Sequence, residues 1–229
     1  QPRLSPFMRA SCKLLEAWKR ISPAVHYTPL PFSLFVLFID RMLELGMVEC
    51  ALLTWTAYHC LLRPGEALAV LVGDVVLPTL DEILQGVPGM IQIRFSKKGV
   101  ATRLAHFGAD VLKPRQIVLW DKVLMILLWA YVQGRDEDER VFDTIDLASW
   151  RRVLKQLGEY FWVPHVQMVL RRLRPGGACY LHLSHRWALP DLVIRGGWAR
   201  FEATHPYLQT GLYASIAVHL LPDLEERSR

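Results

Sequence analysis

Apolar residues follow a helical period through the first part of the chain. From Ser33 to Leu45 they recur at i, i+3 and i+4, and Gly46 suits a C-cap. Val48 to Leu62 is nearly all apolar, which predicts a central, buried helix. Pro64 can serve as the first residue of a further helix running through Leu71.

The same period returns in the second half. Ile117 to Val132 predicts a strongly apolar helix ended by Gly134, and Asp146 suits the N-cap of a helix through Tyr160. Further helices are predicted near Val166, Pro175 and Pro190.

Three short strands are predicted between these helices, around Val75 to Leu77, Met90 to Phe95 and Val100 to Phe107. The last two form a predicted hairpin whose turn contains Lys97-Lys98-Gly99, because glycine supplies the positive φ of a tight turn. The fold class predicted is mainly α with a small three-stranded antiparallel sheet.

The prolines near the start predict a boundary. Residues 11–20 have helical spacing and then meet Pro23, Pro29 and Pro31, which a continuing helix would not accept. We expect residues 1–28 to be the end of a preceding helical domain plus a linker, residues 29–222 to be the main domain, and residues 223–229 to be a polar tail. The first residues, without Met or an apolar leader, suggest a piece of a longer chain.

Composition narrows the class of protein. A hydrophobic content of 52% allows a sizeable core, and no apolar run approaches the roughly 18 residues of a membrane span. Cys12, Cys50, Cys60 and Cys179 lie far apart without a paired spacing, which favours reduced, buried thiols in an intracellular protein.

Basic residues are grouped in two places. The net charge is +5 and the sequence pI is about 9.1, which suits a polyanionic partner but does not identify one. Separated clusters in otherwise apolar sequence favour a binding site over a solvated tail. The first cluster is Arg94, Lys97, Lys98 and Arg103, and the second is Arg171, Arg172 and Arg174.

Four motifs contain residue types that suit DNA strand cleavage, which needs a nucleophile that retains the phosphate and cations that stabilise it. In the first, L-L-R-P-G-E, Arg63 precedes Glu66 by three residues, with Asp74 further on; a surface ion pair would have the same spacing. In the second, I-Q-I-R-F-S-K-K-G, Lys97 or its neighbour Lys98 lies at the turn.

The other two motifs complete the set. In R-R-L-R-P-G-G-A, the small residues after Arg174 would allow its helix to pack closely on its neighbours. In the fourth motif, Gly197-Trp198 precedes Tyr207 by ten and nine residues. In this order, from about Pro29 to Leu221, the motifs resemble the catalytic domain of the tyrosine recombinases, also called phage-integrase-like. The segments L-R-P-G-E and L-R-P-G-G-A are similar to those of recombinases from eukaryotic mobile elements.

The resemblance implies the DNA breaking-rejoining catalytic-domain fold over residues 29–222. It also implies that the preceding helical domain, which ends within residues 1–28, is a DNA-binding domain, and it implies a set of residue roles. Arg63 and Arg174 would clamp the scissile phosphate, Glu66 would orient an arginine, and Tyr207 would attack to give a 3′-phosphotyrosyl link. Lys97 would protonate the leaving 5′ oxygen, and Trp198 would donate to a phosphate oxygen. The DNA contacts outside the catalytic set would come from Arg94, Lys98, Arg103 and Arg172. No metal or other cofactor is required.

Two departures leave an alternative open. Arg171 stands where the family usually has His or Lys, and an arginine stays protonated, so it cannot act as a general base. Pro206 precedes Tyr207 and pushes His205 towards an extended conformation, where it could approach the site as a base. Tyr213 is the fallback nucleophile. The chain could therefore be a catalytically degenerate recombinase that binds DNA without cutting it.

The expected partners are double-stranded DNA and further copies of the chain, as a tetramer on DNA, with no membrane. We expect an intracellular location with DNA, in the nucleus if the source is eukaryotic. A non-catalytic DNA-binding module and a purely structural helical domain are the competing classes. A metal hydrolase is disfavoured because His182 and His185 have no third ligand near them in sequence.

Overall fold

The computed structural model describes residues 29–94, 114–161, 169–198 and 208. Its helices are α1 (Phe32–Glu44), α2 (Val48–His59), α3 (Pro64–Ala67), α4 (Leu80–Gln85), α5 (Lys122–Val132), α6 (Leu147–Tyr160), α7 (Leu173–Ser184) and α8 (Leu189–Gly196). The strands are β1 (Val75–Val76), β2 (Gly89–Ile93) and β3 (Arg115–Leu119), and short 3₁₀ turns cover Val72–Asp74 and Leu170–Arg172.

The first two helices form as the apolar pattern predicts, but α2 ends before its predicted boundary. Gly46 has φ +71° just after α1, as its predicted capping role requires. The helix α2 ends at His59 rather than Leu62, because Leu61 takes a left-handed conformation with φ +53°. The Leu62 N–H then bonds the Ala57 carbonyl, a bond that closes the helix end. The helix after Pro64 is also shorter than predicted and stops at Ala67.

The sheet confirms the predicted fold class, but its third strand lies later in the chain than the predicted third strand. The strands run in the order β1-β2-β3 and both pairs are antiparallel, with Val75 opposite Ile91 and Ile91 opposite Ile117. The strand that pairs with β2 is therefore Arg115–Leu119. The predicted strand from Val100 to Phe107 lies outside the described residues.

The segment at β3 was predicted to be the first turns of a helix beginning at Ile117, and that prediction was wrong. Ile117 and Leu119 are buried while Val118 is exposed, which is the alternation of a strand with one buried face. Asp121 then accepts a hydrogen bond from the Leu124 N–H at 3.0 Å and begins α5 at Lys122. The apolar run thus contains a strand and a helix, separated by an N-cap.

The later helices confirm the predicted caps and close packing. Asp146 accepts from the Ser149 N–H at 2.7 Å at the start of α6, which runs to Tyr160. On α7, a Cβ added to Gly177 would lie 2.0 Å from the Tyr58 carbonyl oxygen. Only glycine therefore allows the backbones of α7 and α2 to approach this closely.

Most buried apolar side chains form one core between α1, α2, α5, α6 and the inner face of the sheet. A smaller cluster contains Leu61, Ala178, Leu181, Leu192 and Trp198, with Leu208 packed against it. Three of the cysteines, Cys50, Cys60 and Cys179, are buried and reduced, as predicted. Among the described helices, none has the length and apolar character needed to cross a bilayer.

Candidate active site

Arg63 lies at the N-terminal end of α3, where Glu66 holds it. Its backbone N–H donates to one Glu66 carboxylate oxygen at 2.8 Å, and its Nη1 donates to the other at 2.7 Å. The Arg63 side chain keeps 47% of its surface exposed, while that of Glu66 keeps only 15%. The ion pair therefore fixes the guanidinium of Arg63 at the surface, with its remaining N–H donors accessible to solvent or to a ligand.

Arg115, the first residue of β3, contacts the same carboxylate from the interior. Its Nη2 donates to Glu66 Oε2 at 3.2 Å and its Nη1 donates to the Gly196 carbonyl oxygen at 2.7 Å. Its side chain is only 10% exposed. Arg115 was absent from the predicted site, because the sequence pattern had placed it in a loop before a helix.

The Gly196 carbonyl is the last of α8 and is left without a helical partner. Gly197 follows with φ +61°, and the Trp198 N–H turns back to the Val193 carbonyl. This left-handed end leaves the Gly196 oxygen available to side chains. Carbonyls at a helix C-terminus carry partial negative charge, so cations are favoured there.

Arg174 is the second cation at this carbonyl. Its Nη2 donates to the Gly196 oxygen, and its guanidinium lies 4.4 Å from the centroid of the Trp198 ring. Both side chains are buried, Arg174 at 6% exposure and Trp198 at 8%. A Cβ on Gly196 would lie 2.0 Å from the Trp198 ring, so the glycine creates the space in which the indole packs.

These contacts form one continuous chain of residues. Arg63 binds Glu66, Glu66 binds Arg115, and Arg115 shares the Gly196 carbonyl with Arg174, which packs on Trp198. Four of the predicted site residues are therefore brought together from α3, α7 and the end of α8. The cluster contains three guanidinium groups and one carboxylate, so it has an excess of positive charge that suits an anionic ligand.

Electrostatics keep Glu66 ionised within this cluster. Burial acts to raise the pKa of Glu66, but Arg115 and then Arg63 outweigh it, and the pKa lies below its ordinary value. Burial lowers the pKa of Arg115, an effect that Glu66 opposes. The two arginines thus keep the Glu66 carboxylate in its charged form.

Three other predicted site residues, Arg94, Arg171 and Arg172, fall within the described part of the chain. Arg171 is exposed on the turn before α7, whereas Arg172 is buried at 7% exposure. Arg94 follows β2, and its Nε donates to the buried carboxylate of Asp74 at 2.5 Å. The DNA-binding roles of Arg94 and Arg172 stay predictions.

Six predicted positions fall outside the described residues: Lys97, Lys98, Arg103, the possible base His205, Tyr207 and the fallback Tyr213. Their roles stay predictions. Within the described residues no group of three or more His, Cys, Asp or Glu side chains could hold a metal ion. His182 bonds the Trp187 carbonyl and His185 bonds the Tyr180 hydroxyl.

Neither a protein-family model nor a curated protein sequence matches the chain. Solved structures do. The XerH site-specific recombinase in a pre-cleavage complex with its difH substrate superposes with a TM-score of 0.59 at 15% identity, over 80% of this chain and 50% of that one. XerH bound to a palindromic difH substrate after cleavage gives a TM-score of 0.61 at 15% identity, over 85% and 54% of the two chains.

The structure of the XerA recombinase matches with a TM-score of 0.59 at 16% identity, over 88% of this chain and 68% of that one. The chain thus spans about half the length of the XerH structures. The chain is mainly helical with a three-stranded antiparallel sheet, and it matches these recombinases in structure. The chain has the fold of the tyrosine recombinase catalytic domain.

Proposed function

We propose that the chain catalyses site-specific cleavage and rejoining of DNA strands through a 3′-phosphotyrosine intermediate. The observation that carries this proposal is the continuous chain from Arg63 through Glu66, Arg115 and the Gly196 carbonyl to Arg174. It brings together three guanidinium groups, and cations of this kind stabilise the charge on a phosphate during cleavage. The XerH structures have the same fold and contain bound DNA substrates, which supports the proposal that this chain acts on DNA.

The proposed roles follow from the residue types. Arg63 and Arg174 bind the non-bridging oxygens, because planar guanidinium groups match phosphate geometry. The Tyr207 phenol gives up its proton to solvent and its oxygen attacks the phosphorus; the bond to the 5′ oxygen breaks, and Lys97 supplies the proton that the 5′ oxygen takes up. Arg171 and Trp198 stabilise the charge on the phosphate. Attack by the 5′ hydroxyl of another strand reverses the step and releases Tyr207.

The surroundings of the site are compatible with these roles. Leu208, the residue after the proposed nucleophile, packs against the cluster that contains Trp198 and Leu61. The proposed partner is double-stranded DNA, bound by a tetramer of the chain, inside the cell wherever that DNA is kept. No metal or other cofactor takes part in the proposed steps.

Trapping of a covalent adduct tests the proposal. Nicked suicide duplexes of randomised sequence, in which the released fragment diffuses away, should give an adduct with the wild-type chain that survives denaturant. Tyr207→Phe should give none, because the ring remains without its nucleophilic oxygen. Tyr213→Phe is the matched control and should keep the adduct. Adducts from Tyr207→Phe at the wild-type level would contradict the assignment.

A catalytically degenerate, DNA-binding protein is the second candidate, and Arg171 is the observation that favours it. The arginine stands where the resemblance implies a His or Lys, and it cannot exchange a proton at neutral pH. Under this alternative the wild-type chain binds duplex DNA and forms no adduct.

A further inference from the structure

We propose that Arg115 is a positioning residue for strand cleavage, one that fixes Arg63 and Arg174 relative to each other. The inference rests on the proposed function, because it assigns Arg115 a part in that same site. Arg115 acts through Glu66 and the Gly196 carbonyl and does not itself contact the phosphate.

The geometry gives Arg115 this part because its two terminal nitrogens bind different partners. Nη2 donates to Glu66, whose other oxygen holds Arg63, and Nη1 donates to the Gly196 carbonyl, which also accepts from Arg174. Each proposed phosphate-binding arginine is therefore one hydrogen bond away from a partner of Arg115. The strand β3 thereby joins α3 to the end of α8.

The space around Arg115 is shaped for a guanidinium. Its side chain is 10% exposed, and a Cβ on Gly197 would lie 2.1 Å from Nη1. Gly197 therefore leaves room for the arginine as well as adopting its left-handed conformation. A buried fork with both nitrogens bound has few alternative rotamers, so it can hold its partners in fixed positions.

A lysine cannot replace this arrangement, although it keeps the charge. Its single ammonium can reach Glu66 or the Gly196 carbonyl, but it lacks the planar fork whose two ends bind the two at once. Loss of the connection should let Arg63 and Arg174 shift relative to each other. A misplacement of about 1 Å at a reacting centre can cost on the order of 100-fold in rate.

The test separates cleavage from binding in Arg115→Gln and Arg115→Lys. Single-turnover cleavage of the suicide duplexes at saturating protein gives the rate of the chemical step, and titration of the same duplexes gives the affinity. We expect Arg115→Gln to cleave about 100-fold more slowly, with DNA affinity changed much less. Arg115→Lys should recover part of the affinity loss but little of the rate. A residue that merely supports the fold would lower the active fraction, not the rate per folded molecule.

Arg135 offers a matched control. Its guanidinium also binds carboxylates, those of Glu139 and Asp143, and backbone carbonyls, those of Arg140 and Val141, in the loop after α5. Arg135→Lys should therefore cleave at the wild-type rate.

The outcomes distinguish the two proposals. If both Arg115 variants cleave at the wild-type rate while Tyr207→Phe forms no adduct, the positioning role is overturned and the proposed function stands. If Arg115→Gln does not fold, Arg115→Lys decides the question alone, and a wild-type rate overturns the role. Absence of any adduct from the wild-type chain overturns the proposed function and this inference with it.

Discussion

His59 is a buried histidine at the end of α2 whose surroundings keep it neutral. Its side chain is 11% exposed, and Nδ1 lies 3.8 Å from Asp121 Oδ2. Burial lowers the pKa of His59 to about 4; Asp121 opposes this change, and Arg195 and His185 add to it. Asp121 also accepts from the Trp55 indole at 3.0 Å, so its carboxylate is shared with other partners.

Stability should therefore fall as the pH drops below the ordinary pKa of histidine. Between pH 6.5 and about 4 the unfolded chain binds a proton at His59 that the folded chain excludes, so protons favour unfolding. We expect the free energy of unfolding to be about 2 kcal/mol lower at pH 5 than at pH 7 from this group alone. Denaturant titrations at the two pH values measure it. His59→Asn should remove this part of the pH dependence, and an unchanged pH dependence in that variant would contradict the assignment.

The third strand shows why element type was harder to predict than element position. The run from Ile117 to Val132 is apolar enough to fit the period of a helix or that of a strand. Asp121, which caps α5, sets the boundary between the strand and the helix. Pairing of β3 with β2 buries Ile117 and Leu119, a contact from a distant part of the chain that local pattern does not contain. By contrast, the caps at Gly46 and Asp146 are local, and the sequence alone predicted both.

Contact between α7 and α2 provides a prediction about close packing. Gly177→Ala would place a Cβ 2.0 Å from the Tyr58 carbonyl oxygen, so the two backbones must separate. Such overpacking costs about 1–3 kcal/mol, and the shift should also displace Arg174, which lies on the same helix. Gly65→Ala on α3 is the control, because its Cβ would meet nothing within 4 Å. Thermal unfolding measures both; equal stability of the two variants would contradict the packing argument.

At the scale of the molecule, sequence motifs predicted four members of the cluster but not the residue that connects them. Arg63, Glu66, Arg174 and Trp198 were predicted from their motifs, and they do lie in one cluster. Arg115 was missed because its role depends on where β3 packs, and its only sequence signal is an arginine before an alternating apolar run. The buried position of Arg172 likewise depends on the packing of the turn before α7.

The excess positive charge of the cluster predicts how DNA affinity responds to salt. A cation that contacts a phosphate displaces a condensed counterion, so the logarithm of the binding constant falls linearly with the logarithm of salt concentration. Arg63 is the exposed member of the cluster, and Arg63→Gln should make that slope shallower by about one.

Lys155→Gln is the control, because Lys155 lies on α6 with 73% of its side chain exposed and pairs with Glu159. Fluorescence anisotropy with a short duplex of mixed sequence measures the slopes. If Arg63→Gln keeps the wild-type slope, Arg63 does not contact phosphate in the complex, and the positive charge of the cluster serves the fold and not the DNA.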